Sequence, residues 1–524
     1  MAIVDDTSME RFAIEDEKPA VDAMVETVDG SSHTERPEEA LQPPPMKLTP
    51  EEERKLYRKI DLRLIPIMWL MYLGSQVDRS NIGNAKLQGL LTQLHLTGHR
   101  YNITLMMFFI PYCLFEFPSN LVLKKFRPSR WLPGITVAWG TITALMGLAK
   151  TYPQLVGIRT CLGVAEAGFF PGVAYYMSIW YPRHMLQYRL GLFYSAATVA
   201  GGFSGLLAFA ISFMSGTHGL LGWSWIFILE GSATVGIGIL AFLVMVDFPE
   251  SATFLTEKER AYVLWKKRYD NSAIGEEEHF EPRHVVAALC DWQVWAHIIV
   301  YMCVIVPVFG ITLFLPSIIN GFGFSTTVSQ LLTVPPYALG TLTIISCSYY
   351  SDKLKQRSPF ILAGLVMCLI GFSINIAPVH VGVKYFGTFF IVAGGYGTVA
   401  GVVAWFVASL PSDTSIVNQK RRLGNNIAGH YKRGAGIALH VGIGNFGGVV
   451  ASNIYRTQDA PKYVLGHAIE LMFVGIGLVV VPVIMLAYMK INQRRARSIT
   501  NVANYSPEQL RALGDRAPSF RYTL

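Results

Sequence analysis

The sequence predicts an all-α membrane protein of twelve transmembrane helices arranged as two six-helix bundles. Three observations lead there. First, the 524 residues are 52% hydrophobic and only 15% charged, with a mean hydropathy of +0.36, against about 25% charged in soluble domains. Second, apolar windows of the length that crosses a hydrocarbon core fall near 62–84, 103–123, 131–150, 153–180, 188–213 and 224–246, and again near 293–319, 329–350, 359–377, 385–410, 434–455 and 466–488. Third, a polar stretch at 247–291 separates the two sets of six.

Taken in order, residues 1–50 hold twelve acids and four bases, so this segment carries −8 and the remainder +16 of the overall +8. With Pro43-Pro44-Pro45 and no apolar signal-peptide core, residues 1–58 are expected to be a disordered cytosolic tail. Residues 59–247 would then form the first bundle, 248–291 a cytosolic loop, 292–489 the second bundle and 490–524 a second cytosolic tail. With the N-terminus inside, twenty-nine Lys and Arg flank the spans on the cytosolic side, against six outside: Lys86, Arg100, Lys150, Lys384, Arg456 and Lys462. That asymmetry puts both termini in the cytosol and assigns the basic excess to topology, with no nucleic-acid partner. The six cysteines stand singly, mostly in apolar runs, and read as small core hydrophobes, neither a metal site nor a disulfide framework. No GxxxxGK[ST] loop argues for an ATP-driven pump and no HExxH or comparable constellation for a membrane enzyme, so no catalytic residue and no cofactor are expected.

The first span is short. Its purely apolar part, Leu62 to Leu73, extends about 18 Å, against roughly 30 Å of hydrocarbon. The helix is therefore expected to continue through Gly74–Asn84, which places Asp78 and Arg79 within the membrane; the alternative is an extracellular helix cap. In the fourth span Arg159 and Glu166 lie seven residues apart, roughly 20° around the axis and about 10 Å along it, on one stripe with Gly163 and Phe170. Each such charge at mid-bilayer costs on the order of 3 kcal/mol, so both are expected to face a water-accessible interior and to have partners there. A static brace between bundles is the competing reading. Glu230, in the sixth span, favours a structural role. Asn445, in Gly442-Ile-Gly-Asn-Phe-Gly-Gly, sits where glycines let backbone approach a ligand, although the same run allows simple tight packing. His297 and His440 read as satisfied core groups, and Gly201-Gly202-x-x-Gly205 and Pro335-Pro336 as packing and bending features.

Two loops mirror each other. After the second span come Asn120, Lys124 and Lys125, and after the eighth come Asp352, Lys353 and Arg357. A short basic loop at the same place in both halves is what duplication of a six-helix unit leaves behind, although either one alone reads equally as a plain basic cytosolic loop; these residues are the candidates for conformational gating. The pair resembles the Gly-x-x-x-Asp-(Arg/Lys)-x-Gly-Arg-(Arg/Lys) signature of the major facilitator superfamily. The first copy departs from it, with Asn120 at the acidic position and no glycines.

Within that superfamily, several stretches resemble the fungal allantoate permease family of the anion:cation symporter group. They are Asp78-Arg79-Ser80-Asn81-Ile82-Gly83-Asn84, Pro118-Ser119-Asn120, Glu166-Ala167-Gly168-Phe169-Phe170-Pro171-Gly172, Trp223 to Gly231 and Gly442 to Pro461. The resemblance covers about residue 55 to the C-terminus. It implies the major facilitator fold, alternating access, and proton-coupled uptake of an organic anion such as nicotinate, pantothenate, biotin, allantoate or a sugar acid. Bacterial members of the group use an Asp-Arg pair in the first helix and an Arg and a Glu seven apart in the fourth. Carried over, Asp78 and Glu166 would be proton carriers, with Arg79 and Arg159 partners for the acids or for the substrate carboxylate. Gln76 stands where some bacterial members have tyrosine, so their substrate does not transfer.

Chemistry supports these assignments independently. An anion in a low-dielectric cavity needs a fixed cation, and the guanidinium fork stays charged and fits a carboxylate. A carboxylic acid beside that cation can exchange its counter-ion for a proton when substrate arrives, which links the two ligands reciprocally. The expected site is therefore Glu166 and Asp78 for protons and Arg79, Arg159, Gln76 and Asn445 for substrate, in a monomer of the plasma membrane. Export of a metabolite or drug by the same fold, and nutrient sensing by a transceptor, remain open because direction is not written in the sequence.

Overall fold

The computed structural model of the protein describes residues 48–123, 126–272, 289–354, 356–409 and 439–497, and among these the regular structure is helical with no strand. Helix α1, Pro50–Ala85, opens on a capping box. Thr49 Oγ1 accepts from the Glu52 amide at 3.3 Å, and the Glu52 carboxylate accepts from the Thr49 amide at 2.8 Å. Pro50 fills the first turn, where an amide hydrogen is not needed. Its 36 residues extend about 54 Å at 1.5 Å per residue, well beyond a hydrocarbon core. The excess is an amphipathic approach, with Leu56, Tyr57, Ile60 and Leu64 buried and Arg54, Lys55 and Arg58 exposed. The helix is unbroken to Ala85, so Asp78 and Arg79 lie inside it, only 1% and 7% exposed. It ends in a π-turn, Lys86–Leu90, where Gly89 takes a φ of 96° that a side chain would resist.

The remaining spans follow as α2 (Arg100–Leu123), α3 (Pro128–Met146), α4 (Tyr152–Glu166) with α5 (Phe169–Trp180), α6 (Arg183–Ser212) and α7 (Gly222–Val244). The connecting segment supplies α8 (Glu257–Ser272). The second half contains α9 (Trp292–Gly321), α10 (Thr326–Leu331) leading into α11 (Val334–Leu354), α12 (Ser358–Ile376), α13 (Val381–Ser409), a helical 439–445 continued by α14 (Gly447–Ile454), and α15 (Val464–Arg497). Seven of the described stretches are, on length and composition alone, apolar enough to cross a membrane.

The fourth window, continuous in the sequence, is two helices meeting at Ala167-Gly168. Pro171 has no amide hydrogen to return to the Ala167 carbonyl, so the ladder cannot pass through. Gly168 meanwhile lies so close to the Ser119 hydroxyl of α2 that a side chain there would collide with it.

The two halves repeat one set of pairings. In the first, α1 packs on α6, α2 on α4 and α3 on α7; in the second, α9 packs on α14, α11 on α13 and α12 on α15. The halves meet through α1–α9, α2–α14 and α6–α11. Large apolar side chains remain outside the core, including Leu240, Phe242 and Leu243 of α7 and Val479, Val483 and Leu486 of α15, as lipid-facing surfaces require.

At the end where α1 begins, α8 docks on it through Lys59 to Glu259 at 2.9 Å and a Lys266–Glu53 ion pair. Slight burial opposes ionisation of Glu259, but Lys59 and the Thr256 backbone outweigh it and hold its carboxyl below the usual range. A depressed carboxyl contributes stability above its unfolded value and loses it as pH falls through the folded one. The dock is expected to loosen on acidification through and below the ordinary carboxylate range, by well under ~1 kcal/mol given its exposure; faster amide exchange in 257–266 would register it.

Nearby, Arg189 holds Asp61 through two bonds, Nε to Oδ1 at 2.6 Å and Nη2 to Oδ2 at 2.9 Å, with its guanidinium 4.3 Å from the Tyr181 ring. Asp61→Ala strands a buried guanidinium and is expected to cost about 2–3 kcal/mol. The thermal midpoint of the purified protein should fall accordingly, and Arg189→Met in the same chain should restore most of it.

Candidate functional site: a cavity between the two bundles

One face of α1 carries Tyr72, Ser75, Gln76 and Arg79, the i, i+3, i+4, i+7 stripe of a helix that turns a single side to an interior. This stripe lines a central cavity between the two bundles. The first bundle adds Tyr112, Glu166, Phe169, Phe170 and Tyr194, and the second adds Tyr301, Ile305, Val308, Phe309, Thr312, Tyr396 and Asn445. The walls are thus aromatic and aliphatic, with a few convergent polar groups, as small-molecule sites are.

The polar groups have a defined order. Arg79 Nη2 donates to Glu166 Oε1 at 2.6 Å, and the Ser75 hydroxyl donates to the same oxygen at 2.5 Å. The guanidinium lies 5.1 Å from the Phe108 ring and 5.0 Å from the Tyr112 ring, and its Nε makes no hydrogen bond. Ring faces at this distance attract the guanidinium while leaving donors for another acceptor. Glu166 is the last residue of α4, at the break opposite Pro171, a place where interrupted helix is tolerated because it lines a cavity.

On the other side, Asn445 Nδ2 approaches Glu116 Oε2 at 3.4 Å, a contact between the bundles. Glu116 is 6% exposed, and sequence reasoning had not assigned it a role. The available signal was an acid inside the second apolar window, between Pro111 and Pro118.

Arg159 and Asp78 are not among the described residues that line the cavity. Arg159 is 1% exposed and sits 5.9 Å from the Phe227 ring, with Nε and Nη2 making no hydrogen bond. The carboxylate oxygens of Asp78, near Thr234 and Trp139, and those of Glu230 also lack partners of normal geometry. Arg159 and Glu166 do share the α4 stripe, but Glu166 makes its ion pair across to Arg79 of α1. Of the loop residues, Lys124 and Lys125 lie outside the described residues, as do the side chains of Asn120 and Asp352. Lys353 is exposed at the end of α11, and Arg357 Nη1 donates to Ser351 Oγ at 3.0 Å. His297 Nε2 bonds Tyr488 Oη at 3.0 Å, and His440 stacks on Phe406.

The chain that builds this cavity between two helical bundles is matched over residues 68–452 by a family model described as the Major Facilitator Superfamily. The chain belongs to the major facilitator superfamily. Its curated relatives include the MFS-type transporter cnsO of Penicillium expansum, 33% identical over 487 residues and 90% of each chain. Another is the high-affinity nicotinic acid transporter of Saccharomyces cerevisiae, 31% identical over 474 residues, 90% of this chain and 85% of that one. Among solved structures, a bacterial homologue of the human lysosomal transporter Spinster, inward-facing and unoccupied, has a TM-score of 0.60 at 13% identity, covering 80% of this chain and 95% of that one. The fold is therefore that of the major facilitator transporters, and the protein is a multi-pass membrane transporter of a small molecule.

For a major facilitator protein the side on which the bundles touch defines the conformation. Among the described residues, contacts gather at the end where α1 finishes. Asn102 Nδ2 donates to the Ser452 and Tyr455 carbonyls at 2.6 and 3.1 Å, and Gln88 Nε2 to Gln330 Oε1 at 2.9 Å. Gly83 lies against the Leu313 carbonyl and Gly205 against Thr333, approaches too close for any side chain. Gly201, in the run read from sequence as a packing feature, accommodates the Tyr337 ring in the same way.

Proposed function

We propose that the protein imports a small organic anion together with a proton by alternating access, with Arg79 and Glu166 as the coupling pair. The observation that carries this reading is their 2.6 Å ion pair at the wall of the central cavity. Without substrate, Glu166 occupies Arg79. A substrate carboxylate arriving in the cavity takes the guanidinium fork, supported by Gln76 and Asn445. Glu166, left without its counter-ion, binds a proton, while the Ser75 hydroxyl remains on Oε1. The loaded cavity then carries no net added charge and the bundles, 59–247 and 292–489, can rock to expose it on the other side. Release reverses the exchange: the substrate leaves, Glu166 gives up its proton and closes on Arg79 again. Asp78 and Arg159, buried behind this pair, serve as a second proton relay and as an electrostatic support for the acids. A proton falling through 100 mV supplies about 2.3 kcal/mol, enough for roughly 50-fold accumulation.

In this reading both termini lie in the cytosol, which the positive-inside asymmetry supports, the closed end faces outside, and a monomer works in the plasma membrane. The basic loops at 120–125 and 352–357 gate the cytosolic side. An aromatic or nitrogen-containing monocarboxylate suits walls that include Tyr72, Phe169, Phe170, Tyr301, Phe309 and Tyr396, and nicotinate is the first candidate because a relative is named for nicotinic acid. The test is uptake of labelled candidate acids, nicotinate first, by yeast lacking its own carriers. Faster accumulation at external pH 5 than at pH 7, collapsing with a protonophore, is the expected result. Lower cell content of the acid than in control cells would instead identify an exporter.

A further inference from the structure

Lys86 has no part in the coupling pair, and its surroundings are unusual for a lysine. It is 8% exposed, and its Nζ makes no hydrogen bond. Among the described residues no carboxylate lies within ion-pair distance of it. Its neighbours are instead three ring faces, with Nζ 4.9 Å from the centroid of Tyr101, 5.4 Å from Phe314 and 5.9 Å from Tyr463. An ammonium shielded from water is held in such a box by the ring quadrupoles alone.

The box is assembled from both bundles. Lys86 and Tyr101 belong to the first half, at the end of α1 and in α2. Phe314 lies in α9 and Tyr463 immediately precedes α15, both in the second half. The same face carries the bonds from Asn102 to Ser452 and Tyr455 and the close approach of Gly83 to Leu313. Any motion that parts the halves there removes two of the three rings and leaves a free ammonium at the mouth. The stem of a lysine is long enough to follow the water.

We infer that Lys86 is an outer capture site for the substrate carboxylate, closed inside an aromatic box when the outer face is shut and presented to solvent when it opens. This rests on the alternating-access reading above. The site acts on one side only, because the box is intact whenever the opposite face is open. A fixed cation at a mouth raises the local concentration of anions and their rate of entry, an effect that salt screens. The chemistry recognised is a carboxylate, handed on from Lys86 to Arg79 deeper in the cavity.

The experiment compares wild type, Lys86→Gln and Lys86→Arg at matched membrane levels, using a labelled acid that the wild type carries. KM is measured for proton-driven uptake from outside and, separately, for efflux of preloaded acid. Lys86→Gln should raise the external KM about tenfold with Vmax and internal KM unchanged, and should abolish the rise in KM that added salt causes in wild type. Lys86→Arg should stay near wild type. An external KM for Lys86→Gln within twofold of wild type overturns the proposal. A second measurement, independent of variant folding, is acylation of Lys86 in the wild-type protein by a membrane-impermeant amine reagent added outside. Lys86 should react, and saturating substrate should protect it; no reaction under any condition also overturns it. Failure of the coupling reading looks different, since it appears as retention of concentrative uptake by Glu166→Gln or of substrate binding by Arg79→Ala.

Discussion

Glu166→Gln is expected to convert an accumulating transporter into an exchanger. The amide keeps an oxygen where Glu166 Oε1 now accepts from Ser75 and Arg79, so the cavity wall retains its shape. What is lost is the charge and the ability to bind and release a proton. With a pH gradient and membrane potential imposed on proteoliposomes, the steady-state ratio of inside to outside substrate should fall from tens-fold toward one, a loss corresponding to about 2.3 kcal/mol per 100 mV of proton driving force. Exchange of labelled for unlabelled substrate across the same membrane should continue. Substrate affinity should be equal to or better than wild type, because a neutral amide competes less well than a carboxylate for the guanidinium. Full accumulation by this variant would remove Glu166 from the coupling step and shift attention to Asp78 or Glu116.

The fold was legible because its signals are long. Apolar windows, a polar interruption and a one-sided distribution of Lys and Arg are each summed over tens of residues, and a local error does not disturb the sum. The extension of α1 past Leu73 was legible for a related reason: twelve apolar residues are too few to span, so Asp78 and Arg79 had to be inside the helix, where they are. Partnership between spans was less accessible. Arg159 and Glu166 share a stripe, yet Glu166 bonds Arg79, because crossing helices bring residues together at depths that one helix's periodicity does not encode. Glu116 was missed since its interest lies in Asn445 on the far bundle, 329 residues away in the chain. Lys86 looked like an ordinary outside-loop cation until Phe314 and Tyr463 were placed around it. The break before α5 was in the sequence all along as Gly168 and Pro171, but an apolar window averages over it.

Removing the cation should have the largest effect on binding. Arg79 presents a planar fork beside the Phe108 and Tyr112 rings and tied to Glu166. Arg79→Ala removes the bidentate partner of the carboxylate and leaves Glu166 as a buried unpaired acid, so affinity is expected to fall by about 3–4 kcal/mol, or 10²–10³-fold, in both transport directions. Lysine keeps charge but loses the fork, so Arg79→Lys should recover only part of this loss. Because Arg79→Ala can also weaken the fold, Arg79→Ala with Glu166→Gln is the decisive combination. The second change removes the stranded acid and should restore stability without restoring binding. Arg159→Ala provides the contrast. At 1% exposure and away from the cavity lining, Arg159 should affect the amount of folded protein more than the affinity of what folds. Titration of purified variants with substrate, followed by thermal shift or by calorimetry, separates these outcomes. Near-normal affinity in the Arg79 and Glu166 double variant, with affinity lost in Arg159→Ala, would move the anion site behind α4 and away from the cavity that now defines it.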